Sequence, residues 1–113
     1  MYKIDLTLVV GINSSGENIP ENFTLEQNYP NPFNPVTTIK YTIPEKGNVS
    51  LNIYDVSGKL VRSLLSSEQN PGSYSLVWNG TDNINSNVSS GIYFYTLNLD
   101  GNISKTKKMI LIR

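Results

Sequence analysis

The strongest constraint on this chain is a period-two alternation of apolar and polar residues that returns four times, each time near turn-forming residues. Ile4, Leu6, Leu8, Val10 and Ile12 alternate with Lys3, Asp5 and Thr7 near the start, and Ile39, Tyr41 and Ile43 alternate with Thr38, Lys40 and Thr42. Val49, Leu51 and Ile53 alternate with Ser50 and Asn52, with Tyr54 on the polar face, and Tyr74, Leu76 and Trp78 share one side of Ser73 to Asn79. Side chains two apart project from the same side of a strand, so each stretch reads as a half-buried β-strand. Phe23 to Gln27, GIYFYTLNL from Gly91 and the last run from Ile103 to Arg113 complete the series. Spacings of roughly 8 to 15 residues between strands are those of an all-β sandwich. The chain contains no Ala but seven Tyr, eight Gly and six Pro, which suits pleated surfaces and turns better than helices.

Between the strands the turn chemistry is explicit. Ser57-Gly58 and Asn70-Pro71-Gly72 are turn signals, and Asp100-Gly101 can form a two-residue type I′ hairpin because both positions tolerate positive φ. Asn79 to Ser90 is a long polar loop, and Asn28 to Pro35, NYPNPFNP, reads as an ordered extended or turning segment rather than a central strand. Only Lys59 to Leu65 is ambiguous: Leu60, Val61, Leu64 and Leu65 fall at helical spacing, although the short span between turns favours a strand. Trp78 is expected in the core. Met109, Ile110, Leu111 and Ile112 are apolar on both faces and are expected to be covered on both sides.

With 113 residues the chain holds one main domain. We divide it into residues 1–22, an N-terminal strand and linker, and residues 23–113. The apolar stretch near the start is too short for a signal-peptide core, and no stretch of the chain is long enough to span a membrane. We expect the chain to be the C-terminal piece of a longer protein.

There is no Cys and no His, so disulfides, thiol nucleophiles, imidazole bases and common zinc sites are excluded. Balanced charge, nine basic against nine acidic residues, does not favour a nucleic-acid-binding face. No carboxylate pair sits in a catalytic-looking motif; the expectation is a non-enzyme without cofactor or metal. Asp82, Asn83, Asn85 and Asn87 invite a calcium reading, but the spacing lacks the Gly and bidentate Glu of an EF-hand loop, and a solvated Asx-rich loop fits better. Acidic residues stop at Asp100, after which come Lys105, Lys107, Lys108 and Arg113. Such a basic strand is either an edge protected against aggregation or a recognition strand.

Six segments carry a resemblance: LEQNYPNPFNP (25–35), TTIKYTIP (37–44), LNIYDVSGKLV (51–61), NPGSYSLVWNG (70–80), SSGIYFYTLN (89–98) and KTKKMILIR (105–113). In this order they resemble the type A C-terminal sorting domain of cargo secreted by the type IX, or Por, secretion system. The resemblance implies an Ig-like antiparallel β-sandwich of about seven strands, without a disulfide, at the end of an exported protein. It implies a secreted or cell-surface destination reached through the periplasm, and partners comprising the translocon, its shuttle proteins and a surface sortase-like protease. The matching signal residues are Pro30, Asn31, Pro32, Phe33 and Asn34; Asp55, Gly58 and Lys59; Gly91 and Tyr93; and Lys107, Lys108, Met109, Ile110, Leu111, Ile112 and Arg113. Asn52 to Asn98 is also similar to the Ig-like module of flagellar hook-capping proteins, especially in WNGTD and SGIYFY. The upstream NYPNPFNP and the basic last strand favour the sorting domain. Rival readings are a structural Ig-like module and a carbohydrate-binding sandwich using Tyr29, Tyr54 or Trp78 as stacking platforms. Self-association through edge strands is a further expectation.

Overall fold

A computed structural model describes residues 21–113; the strand expected over residues 4–12 and most of the linker after it lie outside the described residues. Seven strands follow in order: β1 (Thr24–Leu25), β2 (Thr37–Ile43), β3 (Gly47–Tyr54), β4 (Leu60–Gln69), β5 (Gly72–Trp78), β6 (Gly91–Leu99) and β7 (Ile103–Leu111). They form two antiparallel sheets, β1-β2-β5 and β4-β3-β6-β7, and no helix occurs among the described residues. This is the expected all-β, Ig-like sandwich.

The alternation of the sequence is the alternation of burial. Ile39, Tyr41 and Ile43 of β2 face Val49, Leu51 and Ile53 of β3, while β6 contributes Tyr93, Tyr95, Leu97 and Leu99. Trp78 is fully buried, and its indole Nε1 donates to the Thr81 carbonyl at 2.9 Å, so the ring enters the core without an unpaired donor.

β4 is a strand, and its helical spacing has a local cause. The register against β3 slips twice, leaving Val61 and Leu64 as extra residues opposite none. Each bulge shifts the inward set by one position, so Leu60, Val61, Leu64 and Leu65 imitate a helical repeat. At the β6–β7 turn Asp100 and Gly101 both have positive φ, of 57° and 71°, and Asn102 N donates to Leu99 O at 3.1 Å. Leu99 pairs with Ile103, so Asn102 is a third loop residue beyond the expected two.

The expectation that the final strand is covered on both sides is corrected. Met109 and Leu111 are buried, but Ile110 is only half-buried and Ile112 is exposed. Met109 and Leu111 point between the sheets. Ile110, opposite Ile92, lies on the outer face, where among the described residues no third layer packs.

Candidate functional site

The sequence motifs are scattered along the chain, yet the topology carries them to one end of the sandwich. Thr37 pairs with Trp78, Tyr54 with Phe94, Phe94 with Lys108, and Gly91 with Leu111. The 28–36 segment, the β3–β4 turn, the β5–β6 loop and the end of β7 therefore share that end. The turns after β2, β4 and β6 lie at the other.

The NYPNPFNP segment is a strap laid along the outer edge of β7. Phe33 N donates to Ile110 O at 3.0 Å and Ile112 N donates to Phe33 O at 2.8 Å, a parallel bridge. Ile110 N donates to the Asn31 side-chain oxygen at 3.0 Å, and Gln27 Nε2 donates to Lys108 O at 2.7 Å. Prolines at positions 30, 32 and 35 leave the strap few donors of its own, so side-chain groups complete the ladder. Two segments of the resemblance, some eighty residues apart in sequence, are thus one structure. Over residues 108–112 the strap occupies the outer edge of β7.

The strap is anchored from below. Asn28 is buried; its Nδ2 donates to Thr37 Oγ1 at 2.9 Å and to Pro30 O at 3.1 Å. Tyr95 reaches across from β6, accepting from Asn28 N at 2.8 Å and donating to Glu26 O at 2.7 Å. Burial raises the Tyr95 hydroxyl to about 12. Phe33 is buried with its ring centroid 5.7 Å from that of Trp78, which lies 5.5 Å from Tyr93 in an edge-on arrangement. One aromatic from each of three motifs thus fills this end of the core, as expected of Trp78.

The remaining motif residues are mostly turn chemistry. Asp55 accepts from Ser57 Oγ at 2.7 Å, Ser57 N at 2.9 Å and Lys59 N at 3.0 Å. The Ser57 hydroxyl first, then the Lys59 amide, hold the Asp55 carboxyl below its ordinary range. Gly58 carries φ of 85° in the same turn, which only a residue without Cβ adopts freely. Tyr93 donates to Ser89 O at 2.7 Å, and Tyr74 donates to Asn70 O at 2.6 Å, so G-x-Y is the same tyrosine-pinned strand entry used twice. Gly91 is the glycine of the second entry. Arg113 is a clamp rather than a free charge: its side chain donates to Val88 O at 2.6 Å and Gly80 O at 2.5 Å, and its backbone N to Ser90 Oγ at 2.8 Å.

The Asx-rich loop is held by its own side chains. Asp82 accepts from Ile84 N and Ser86 N, Asn83 from Ser63 N, and Asn85 from Arg62 Nη1, which turns these oxygens toward the protein itself. Between this loop and the β3–β4 turn runs an open groove of about 430 Å³, lined by Asp55, Lys59, Leu60, Ile84, Val88 and Tyr93 among others. Its two carboxylates, Asp55 and Asp82, accept from backbone amides, and Lys59 is the one basic side chain in its lining.

Exposed large apolar side chains concentrate at this end, among exposed polar residues such as Asn31, Asn34 and Lys59. Of the nine large hydrophobic side chains exposed among the described residues, only Ile103 lies at the opposite end. Tyr29, Val36 and Val77 flank the three-stranded sheet; Leu60, Ile92 and Ile112 flank the four-stranded one; Val56 and Ile84 stand on the loops. Trp78 is too deep to serve as a stacking platform, whereas Tyr29 is exposed and Tyr54 half-buried. Sequence reasoning missed Gln27, Asn28, Thr37, Tyr95 and Arg62 as organisers of this end. The one available signal was Tyr95 itself, an inward-facing hydroxyl that needs a partner.

Comparison with known proteins places this geometry. Among solved structures, dimeric latent PorU from Porphyromonas gingivalis superposes with a TM-score of 0.65 at 20% identity, over 91% of this chain and 10% of PorU. PorZ, described as an essential bacterial surface component of the type IX secretion system of the same organism, gives 0.51 at 24% identity, over 82% of this chain and 12% of PorZ. FlgD from P. aeruginosa gives 0.48 at 26% identity, over 66% of this chain and 57% of FlgD. The chain thus spans about a tenth of PorU and PorZ, and those likenesses speak to the fold. No curated protein sequence matches it. The family model described as the FlgD Ig-like domain matches residues 35–102, from the last proline of the strap through the β6–β7 turn. That match takes in β2 to β6 and more than half of the chain, which therefore belongs to the FlgD Ig-like domain family.

Proposed function

We propose that this domain is a non-catalytic docking signal that directs an attached cargo through the type IX secretion system, for release or attachment at the cell surface. The observation that carries the reading is the gathering of the motif residues and of nearly all exposed large hydrophobics at one end. A module that merely spaces its neighbours has no need of such a polarised apolar end. The ordered motif set of a type A sorting domain supports the same reading, as does the fold shared with PorZ, described as an essential bacterial surface component of the type IX secretion system.

The test is a fusion of residues 13–113 behind a signal peptide and a fluorescent reporter, in a bacterium with a functional type IX system and in a translocon mutant. Deleting residues 105–113 would be uninformative, because Met109 and Leu111 are core residues and their loss unfolds the domain. The informative variant is Ile92→Ser with Ile112→Ser, both at least 40% exposed. Export of the unaltered fusion, its retention in the mutant and retention of the folded double variant are expected. Periplasmic retention of the unaltered fusion in both strains would overturn the proposal. The second reading, a structural Ig-like module, is favoured by the family match and predicts that the double variant behaves as the parent.

A further inference from the structure

The strap covers only part of β7. Antiparallel pairing alternates between residues whose N–H and C=O face the partner strand and residues whose groups face away. Ile110 turns its groups away from β6 toward the strap, so Lys108, Thr106 and Ser104 do the same in register. Lys108 O is taken by Gln27, and there the cover ends. Beyond it Lys108 N and both groups of Thr106 and Ser104 have no backbone partner among the described residues. β1, the nearest strand of the other sheet, comes within 8 Å of β7 but pairs only with β2 and forms no ladder with this edge. The same stretch carries Lys105, Lys107 and Lys108, and no acidic residue follows Asp100.

We infer that the open half of the β7 edge, residues 104–108, is a strand-addition site for an extended acidic segment of another protein. Backbone groups of alternate residues supply the affinity, and the lysines on either face select carboxylates. A second copy is the wrong occupant: pairing β7 with β7 sets lysines against lysines. The site lies away from the apolar end and does not depend on the docking role proposed for it.

The probe is a short synthetic peptide alternating aspartate and valine, titrated against the full chain by fluorescence anisotropy and by amide hydrogen exchange. Binding is expected to slow exchange at Ser104, Thr106 and Lys108, while Lys105 and Lys107, already paired with β6, stay slow throughout. Thr106→Pro removes an N–H that β6 does not use, and it is expected to weaken binding about tenfold or more without unfolding the sandwich. Lys105→Glu with Lys107→Glu is expected to do the same and to move preference to a lysine–valine peptide. A Thr106→Pro variant that folds and binds as the parent does would overturn strand addition and leave bulk charge attraction as the explanation. Equal binding of acidic and basic peptides, or protection arising instead from residues 1–20 of the chain itself, would also overturn it.

Discussion

Tyr95→Phe tests the account of the strap most directly. The substitution removes one oxygen and no carbon, so it opens no cavity, and the ring stays in a core site that is fully buried. It deletes a donor to Glu26 O at 2.7 Å and an acceptor for Asn28 N at 2.8 Å. Each bond is worth about 1 kcal/mol net, and leaving the buried Asn28 amide without a partner adds a desolvation penalty of about 1 kcal/mol or more. The expected loss is about 2 to 3 kcal/mol, which for a domain of this size lowers the thermal midpoint by about 10 °C or more. In urea, with a slope of about 1 kcal/mol per molar, the midpoint falls by about 2 M. Trp78 is the single tryptophan and is buried beside Phe33, so its fluorescence reports the transition. Tyr93→Phe is the graded control, losing one bond to Ser89 O and about 1 kcal/mol. A Tyr95→Phe midpoint no lower than that of Tyr93→Phe would refute the claim that Tyr95 pins the strap across the sandwich.

Stability should also fall in strong base. Burial raises the Tyr41 and Tyr95 hydroxyls from the ordinary 10 to about 12, so the folded state holds these protons more tightly than the unfolded one. Their contribution is whole below about pH 10 and is lost as pH rises from 10 to 12; a urea midpoint unchanged across that window would refute it. Asp55 has the opposite sign, and its contribution fades as pH falls below the ordinary carboxylate range. Arg113→Ala releases the carbonyls of Val88 and Gly80 and is expected to cost about 1 kcal/mol, with faster amide exchange confined to the β5–β6 loop. Uniform change across all strands would show that the clamp acts on the whole fold instead.

The strands were legible in the sequence because burial in a sandwich repeats every two residues, and β2, β3 and β6 obey that period without interruption. β4 was ambiguous because two bulges break it, and a bulge leaves no mark of its own in composition. The motif residues were legible as turns and aromatics, and Phe33, Trp78 and Tyr93 are buried where such residues belong. Their convergence was not. Periodicity says which face of a strand is apolar but not which strand lies beside it, so the bridge from Phe33 to Leu111 could not be read locally. The anchoring roles of Asn28 and Thr37 were invisible for the same reason: one reads as a loop residue and the other as a strand end until each is seen beside its partner.

The head-to-tail closure of the strap on β7 sets an order of assembly. A chain leaving the ribosome presents residues 27–33 long before residues 108–112 exist for them to pair with. Until Ile112 has emerged, Phe33 has no backbone partner there and β6 lacks its outer neighbour. Contacts of such long sequence separation are formed late and slowly. Any segment preceding this domain is therefore synthesised, and free to fold or to be handed onward, while the domain itself is still open. Maturation of the sandwich becomes a timer that starts only when translation reaches its final strand.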